Sequence, residues 1–175
     1  YRQYQQGQLD IDEYLSFALG PMAGMTHETL SALQDKFLKK HVEPILLDAA
    51  FDLLQAHRVK GDTLIIITAT NTLVTQPIAD RLGVEHLIGC EAELKDGRYT
   101  GKPEGVPSFG EGKVQRIKTW CAEHQTSLEG AVFYSDSHND LPLLREVTQA
   151  IAVDPDDLLR EEAQQCGWEI ISLRP

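Results

Sequence analysis

The chain has 175 residues, of which 42% are apolar and 25% charged, proportions that suit one α/β domain with room for a small appendage. Its 27 acidic and 16 basic side chains leave a formal net charge of −11. That balance argues against nucleic acid or an anionic membrane surface as the main partner, since both require basic patches. An anionic small molecule remains compatible with it, because a local cation reverses the field inside a single pocket. No apolar run approaches the ~18 residues that a membrane span needs, and nothing resembles a signal peptide. The cysteines, Cys90, Cys121 and Cys166, are far apart and form no C-x-x-C pair. They read as reduced, partly buried thiols of a cytoplasmic protein.

Residues 1 to about 42 read as helical, with apolar positions at i, i+3, i+4 spacing in "LDIDEYLSFALG" and "THETLSALQDKFLKKHV". Thr26 is placed to cap the second of these, with Glu28 in its first turn, and "GPMAGM" breaks the chain between them. Pro44 opens the next expected helix, "PILLDAAFDLLQAHRVKG", which Gly61 closes. The expected division is therefore a helical cap at 1–42 and an α/β core at 43–175.

From residue 63 the character changes. "TLIIIT" is a short, continuous, β-branched run, the pattern of a strand buried on both faces. "NTLVTQPIADRLG" follows as a helix, "HLIGC" as a short strand, and "EAELKDGRYTG" as a hairpin turning at "DG". Then come the helix "GEGKVQRIKTWCAEH", the strand "GAVFYSD", the helix "DLPLLREV", and the strands "AIAV" and "EIISL" around the helix "PDDLLREEAQQCG". Alternating strands and helices imply parallel pairing through right-handed crossovers, so the expected fold is α/β, a doubly wound, mostly parallel Rossmann-like sheet.

In such sheets ligands sit beyond the carboxyl ends of the strands, and two apolar runs here end in polar clusters. Thr68 closes the first, followed by Ala69, Thr70, Asn71 and a new helix. A hydroxyl backed by free N–H groups at a helix start suits a phosphate, although the same residues could simply cap that helix. Asp136 closes the second, with Asn139 and Asp140 close behind in "SDSHNDLPLL". Carboxylates at a strand end suit Mg²⁺, which takes one or two of them together with waters and substrate phosphate; helix capping is the bland alternative. His138 in this loop reads as a solvated surface histidine. Lys113, at the start of the "GEGK" helix, puts a cation at the wrong end of the helix dipole, a penalty that a nearby phosphate or carboxylate would offset.

Taken in order, "IIIT" closing on Thr68, then Lys113, then "SDSHNDLPLL" resemble the second, third and fourth motifs of the haloacid dehalogenase superfamily of phosphatases. The similarity is to the phosphoserine-phosphatase-like branch with a small helical cap. The resemblance implies a Mg²⁺-dependent phosphomonoesterase, acting on a small phosphorylated metabolite such as phosphoserine or histidinol phosphate through an aspartyl-phosphate. Asp136 would be the metal ligand and Asn139 a supporting residue. Thr68, Lys113 and Asp140 would be catalytic, with Thr68, Ala69 and Lys113 binding phosphate. Two departures stand out. Ser135 precedes Asp136 where the family often has glycine, and no apolar strand ends in D-x-D. The D-x-D that is present, Asp10 and Asp12 in "LDIDEY", runs into an amphipathic helix. With Tyr1 opening the chain in place of a methionine, the expectation is that the first motif and its central strand lie upstream and that these 175 residues alone are inactive. The competing expectation is a non-catalytic phosphate- or metal-binding α/β domain.

Overall fold

The computed structural model describes residues 9–174. Residues 1–8, the start of the segment read above as helical, lie outside the described residues. The chain forms two compact units, Tyr1–Ser108 and Phe109–Pro175.

The first unit begins with helices α1 (Ile11–Leu19) and α2 (His27–Phe37). Asp10 caps α1, its Oδ1 accepting from the N–H groups of Asp12 and Glu13 at 3.0 Å. Thr26 caps α2 as the sequence suggests, its Oγ1 accepting from Thr29 N–H at 3.3 Å. The next helix starts later than expected. Pro44 sits in a single 3₁₀ turn, Glu43–Ile45, Leu46 and Leu47 run extended, and α3 spans Asp48–Lys60 before Gly61 ends it in the left-handed region. Strand β1 (Ile65–Asn71) leads into α4 (Thr72–Leu82), which ends at Gly83 with φ +65°. Residues 65–70 of β1 are half-buried rather than buried on both faces, and among the described residues the strand stands at the edge of its sheet beside β2.

The segments read as a short strand and a separate hairpin arm are one strand, β2 (His86–Lys95). Its first half pairs in parallel with β1 (Ile65 opposite His86), and its second half pairs antiparallel with β3 (Arg98–Glu104). Nothing between Cys90 and Glu91 breaks an extended chain. The turn at Asp96 and Gly97 has both φ angles positive, 50° and 73°, as a two-residue type I′ hairpin requires. Strand β3 is gripped by the helical segment: Gly24 N–H donates to Tyr99 O at 2.8 Å and Tyr99 N–H to Met25 O at 3.0 Å. Arg98 Nη1 adds a bond to Gly24 O at 2.8 Å.

The second unit contains α5 (Glu111–Glu123), β4 (Val132–Ser135), the short α6 (Leu141–Leu144), β5 (Gln149–Val153), α7 (Asp157–Cys166) and β6 (Glu169–Ile171). Strands β4, β5 and β6 are parallel throughout. Leu144, Ala152, Leu159 and Ala163 are at most 1% exposed and form its core with Ala150, Phe133 and Ile170 around them. Full burial of leucines such as Leu144 and Leu159 is worth about 1.5–3 kcal/mol each. Helix α6 is shorter than the sequence pattern suggests. The chain is drawn out of the helix where Gln149 N–H bonds Ala131 O at 3.0 Å and Thr148 Oγ1 accepts from Gly130 N–H at 2.8 Å.

The fold is thus α/β, and among the described residues three of the four strand pairings are parallel, in two three-stranded sheets. No described helix is long and apolar enough to cross a membrane. One close approach shapes the turn after β1. A Cβ on Gly89 would lie 2.9 Å from Thr72 Cγ2 and 3.0 Å from the backbone oxygen of Thr70. Gly89→Ala is therefore expected to cost about 1–3 kcal/mol, the usual penalty of overpacking a tight site, read as a lower urea midpoint with an unchanged slope.

Candidate active site

Helix α5 presents one face to the interior of the second unit, burying Lys113, Val114, Ile117 and Cys121. Lys113 is in the first turn, 5% exposed, so its charge must be met inside the protein. The partner is Asp140, whose Oδ1 lies 2.6 Å from Lys113 Nζ. The other oxygen, Oδ2, accepts from the Ser135 hydroxyl at 2.7 Å. Asp140, Ser135 and Lys113 are each less than a tenth exposed, and in that setting a matched ion pair with its remaining lone pairs satisfied is strong. Ser135, a departure from the family pattern, thus has a defined task, and its place in this chain is not readable from sequence alone.

Between Ser135 and Asp140 the chain makes a loop in which the amides of residues 137–140 each find an acceptor. Ser137 N–H donates to Ser135 Oγ at 3.1 Å, His138 N–H to Asp156 Oδ2 at 2.9 Å, Asn139 N–H to Ser137 Oγ at 3.2 Å, and Asp140 N–H to Ser137 O at 3.1 Å. The Asn139 side chain also donates from Nδ2 to Ser137 Oγ at 3.3 Å. His138 is not the solvated histidine its setting suggested: its side chain is 13% exposed and its Nδ1 lies 2.8 Å from Asp156 Oδ2. Burial would raise the Asp156 carboxyl, but hydrogen bonds from the His138 and Leu159 amides and from the His138 ring outweigh it and hold the group below the ordinary aspartate value. What Asp156 contributes to stability is accordingly present at neutral pH and fades as pH falls through that lowered value.

Asp136 differs from its neighbours. It follows β4 directly and is exposed, and no other described residue engages its carboxylate. Its backbone oxygen accepts from Asp156 N–H at 2.9 Å. Among the described residues no three His, Cys, Asp or Glu side chains gather as a complete metal site. One open carboxylate on a preorganised loop still fits Mg²⁺, which tolerates few protein ligands and keeps several waters. Asp140, with both oxygens occupied, does not offer itself as a second ligand.

In the first unit Thr68 lies within β1, three residues short of its end, where the pairing with β2 becomes irregular between Ile67 and Asn71. Its Oγ1 accepts from Thr70 N–H at 3.1 Å. The capping of α4 falls to Asn71, whose Oδ1 accepts from Val74 N–H at 3.1 Å. Thr68 and Ala69 are thereby relieved of that role. Of the predicted site residues, the structure brings together Lys113, Asp140 and, along the same loop, Asn139 and Asp136. Asp156 is the residue sequence reasoning missed. Its capping position before "DLLREEA" was legible, but its bonds to a residue 18 positions away were not. The thiols offer no nucleophile here, since Cys90 and Cys121 are buried and burial pushes the Cys121 thiol up.

A family model described as haloacid dehalogenase-like hydrolase matches residues 3–145. The chain belongs to that family. It is 39% identical over 178 residues to a histidinol-phosphatase of Neisseria meningitidis, covering 99% of this chain and 80% of that protein. A phosphoserine phosphatase of Mycobacterium tuberculosis is 34% identical over 157 residues, 90% of this chain but 51% of its own length. The crystal structure of a Bordetella pertussis protein of unknown function superposes with a TM-score of 0.92 at 43% identity, covering 99% of this chain and 79% of that one. Within the family the chain groups with the phosphoserine phosphatase and histidinol-phosphatase-like members.

Removing one half of the buried pair should be costly. Asp140→Ala leaves the Lys113 ammonium buried without its carboxylate and is expected to lose about 3–5 kcal/mol. The double variant Lys113→Met, Asp140→Leu should recover most of that, as measured by chemical denaturation.

Proposed function

We propose that the protein is a Mg²⁺-dependent phosphomonoesterase of small polar phosphates, working through an aspartyl-phosphate. The observation that carries this reading is the division of labour at the end of β4. Asp140 is bound by Lys113 and Ser135, while Asp136 stands open beside it. A structural ion pair alone would not call for a second, unengaged carboxylate on a loop held by hydrogen bonds at each amide from 137 to 140.

In this reading Asp136 holds the Mg²⁺, which when bound neutralises and orients the phosphate. Lys113 contributes a second positive charge, Asp140 fixes the lysine's position, and Asn139 stiffens the loop. Thr68 donates its hydroxyl to a phosphoryl oxygen, with Ala69 N–H beside it. Phosphoryl transfer depends mainly on positioning and on charge neutralisation, which is what these residue types supply. The first unit also has a cavity of about 510 Å³ whose walls include Glu91, Tyr99 and Gln34, within the range of small-molecule sites. It supports a small metabolite as substrate, and phosphoserine and histidinol phosphate are the candidates that the relatives' names suggest. The finer architecture belongs to the same proposal: a doubly wound Rossmann-like core from residue 43 onward, with residues 1–42 as a helical cap.

Neither the carboxylates of the D-x-D pair nor those of the Asp136 loop suit the nucleophile. Asp10 caps α1, Asp12 lies in its first turn, Asp140 is paired, and Asp136 serves the cation. This favours the second reading, a phosphate- or metal-binding domain without turnover, for the 175 residues by themselves. Tested alone with Mg²⁺ and a generic aryl phosphate, they are expected to show no hydrolysis. Turnover lost on Asp10→Asn would instead place the nucleophile at Asp10.

In the full-length protein, Asp136→Asn should abolish Mg²⁺-dependent hydrolysis with the circular dichroism spectrum unchanged; activity retained at saturating Mg²⁺ would remove Asp136 from the metal site. Thr68→Ala should lower kcat by about 10²-fold, the effect of losing one donor to a transition-state oxyanion. A change confined to KM would assign Thr68 to ground-state binding.

A further inference from the structure

We propose that Asp156 is the positioning residue of the Asp136 loop, so that the affinity of Asp136 for its cation is set by a side chain outside the loop itself. The inference rests on the reading of Asp136 as a metal ligand. Asp156 grips the loop at two points. Its N–H donates to Asp136 O at 2.9 Å, and its Oδ2 accepts both His138 N–H at 2.9 Å and the His138 ring, with Nδ1 at 2.8 Å. Its other oxygen, Oδ1, accepts from Leu159 N–H at 2.8 Å and so caps α7.

The consequence follows from what each bond fixes. Asp136 is held at its own carbonyl by the Asp156 amide, and the residue two positions on is held by the Asp156 side chain through both amide and ring, so the backbone that follows the open carboxylate is clamped at two points. The clamp is anchored in α7, whose Leu159 and Ala163 are wholly buried. Core packing of this helix is thereby transmitted to a carboxylate that makes no hydrogen bond or ion pair among the described residues. A ligand held in one orientation does not lose that freedom when the cation arrives, which is the source of tighter binding by preorganised sites.

Capping and clamping use different oxygens, and this makes them separable. Asp156→Ser keeps a good N-cap acceptor for α7 but has no second oxygen to reach His138. In the full-length protein, calorimetric titration should find Mg²⁺ bound about tenfold or more weakly by Asp156→Ser, the usual cost of removing an outer-shell partner. Amide hydrogen exchange at His138 should rise at the same time, while the melting temperature stays near wild type. Asp156→Ala, lacking the cap as well, should melt lower with a similar loss of Mg²⁺ affinity. His138→Ala keeps the Asp156 charge and the cap and should weaken Mg²⁺ by an intermediate factor, separating orientation from simple loss of a negative charge. Unchanged Mg²⁺ affinity in Asp156→Ser, or unchanged His138 exchange, overturns the inference even where Asp136→Asn abolishes binding. If Asp136→Asn leaves Mg²⁺ binding intact, the metal-ligand reading fails, and this inference with it.

Discussion

A buried ammonium cannot remain unpaired, and this constraint organises the second unit. Lys113 is carried into the interior by the apolar face of α5, where the helix dipole opposes its charge and solvent screens little of it. Asp140 resolves that conflict, and in doing so is withdrawn from any other task. Its second oxygen is taken by Ser135, the last residue of β4, so strand, loop and helix start are tied by one carboxylate. The exposed Asp136 is what remains, and its chemistry is defined by the neutralisation of its neighbour.

This arrangement also explains why a serine can stand where the family often has glycine. A glycine there would leave one oxygen of Asp140 and the amide of Ser137 without the hydroxyl that both use. The two bonds make the turn out of β4 stiff, so the departure reinforces the site. Phosphoryl transfer tolerates such variation because it depends on the placement of charge rather than on one obligatory set of side chains.

Local signals were legible in the sequence, and distant ones were not. Thr26 and Gly61 were readable as caps, and Asp96–Gly97 as a hairpin turn, because each depends on residues within one turn of itself. The β-branched run 64–67 announced a strand for the same reason. The length of β2 was missed because its two halves have different partners, and only the partners show that the strand is continuous. The start of α3 was misplaced since proline at 44 fits a 3₁₀ turn as well as a helix. At the site, residue types and order along "SDSHND" pointed to Asp140, which the structure pairs with Lys113. The roles of Ser135 and Asp156 depend on side-chain directions that no periodicity encodes.

Strand β2 has a mechanical implication for the first unit. Ten residues of continuous extended chain are stitched to β1 at one end and to β3 at the other, and the start of β3 is held by the backbone of residues 24 and 25. Bending β2 would break ladder bonds to β1 or to β3, whose registers shift only between Ile67 and Asn71 and between Ala92 and Leu94. At Gly89 it runs directly beneath Thr70 and Thr72, with no room for a methyl group. A shift of the helical segment that pulls on Tyr99 therefore loads the same strand that packs against the junction of β1 and α4. The hairpin thus ties the backbone of the helical segment to the junction of β1 and α4.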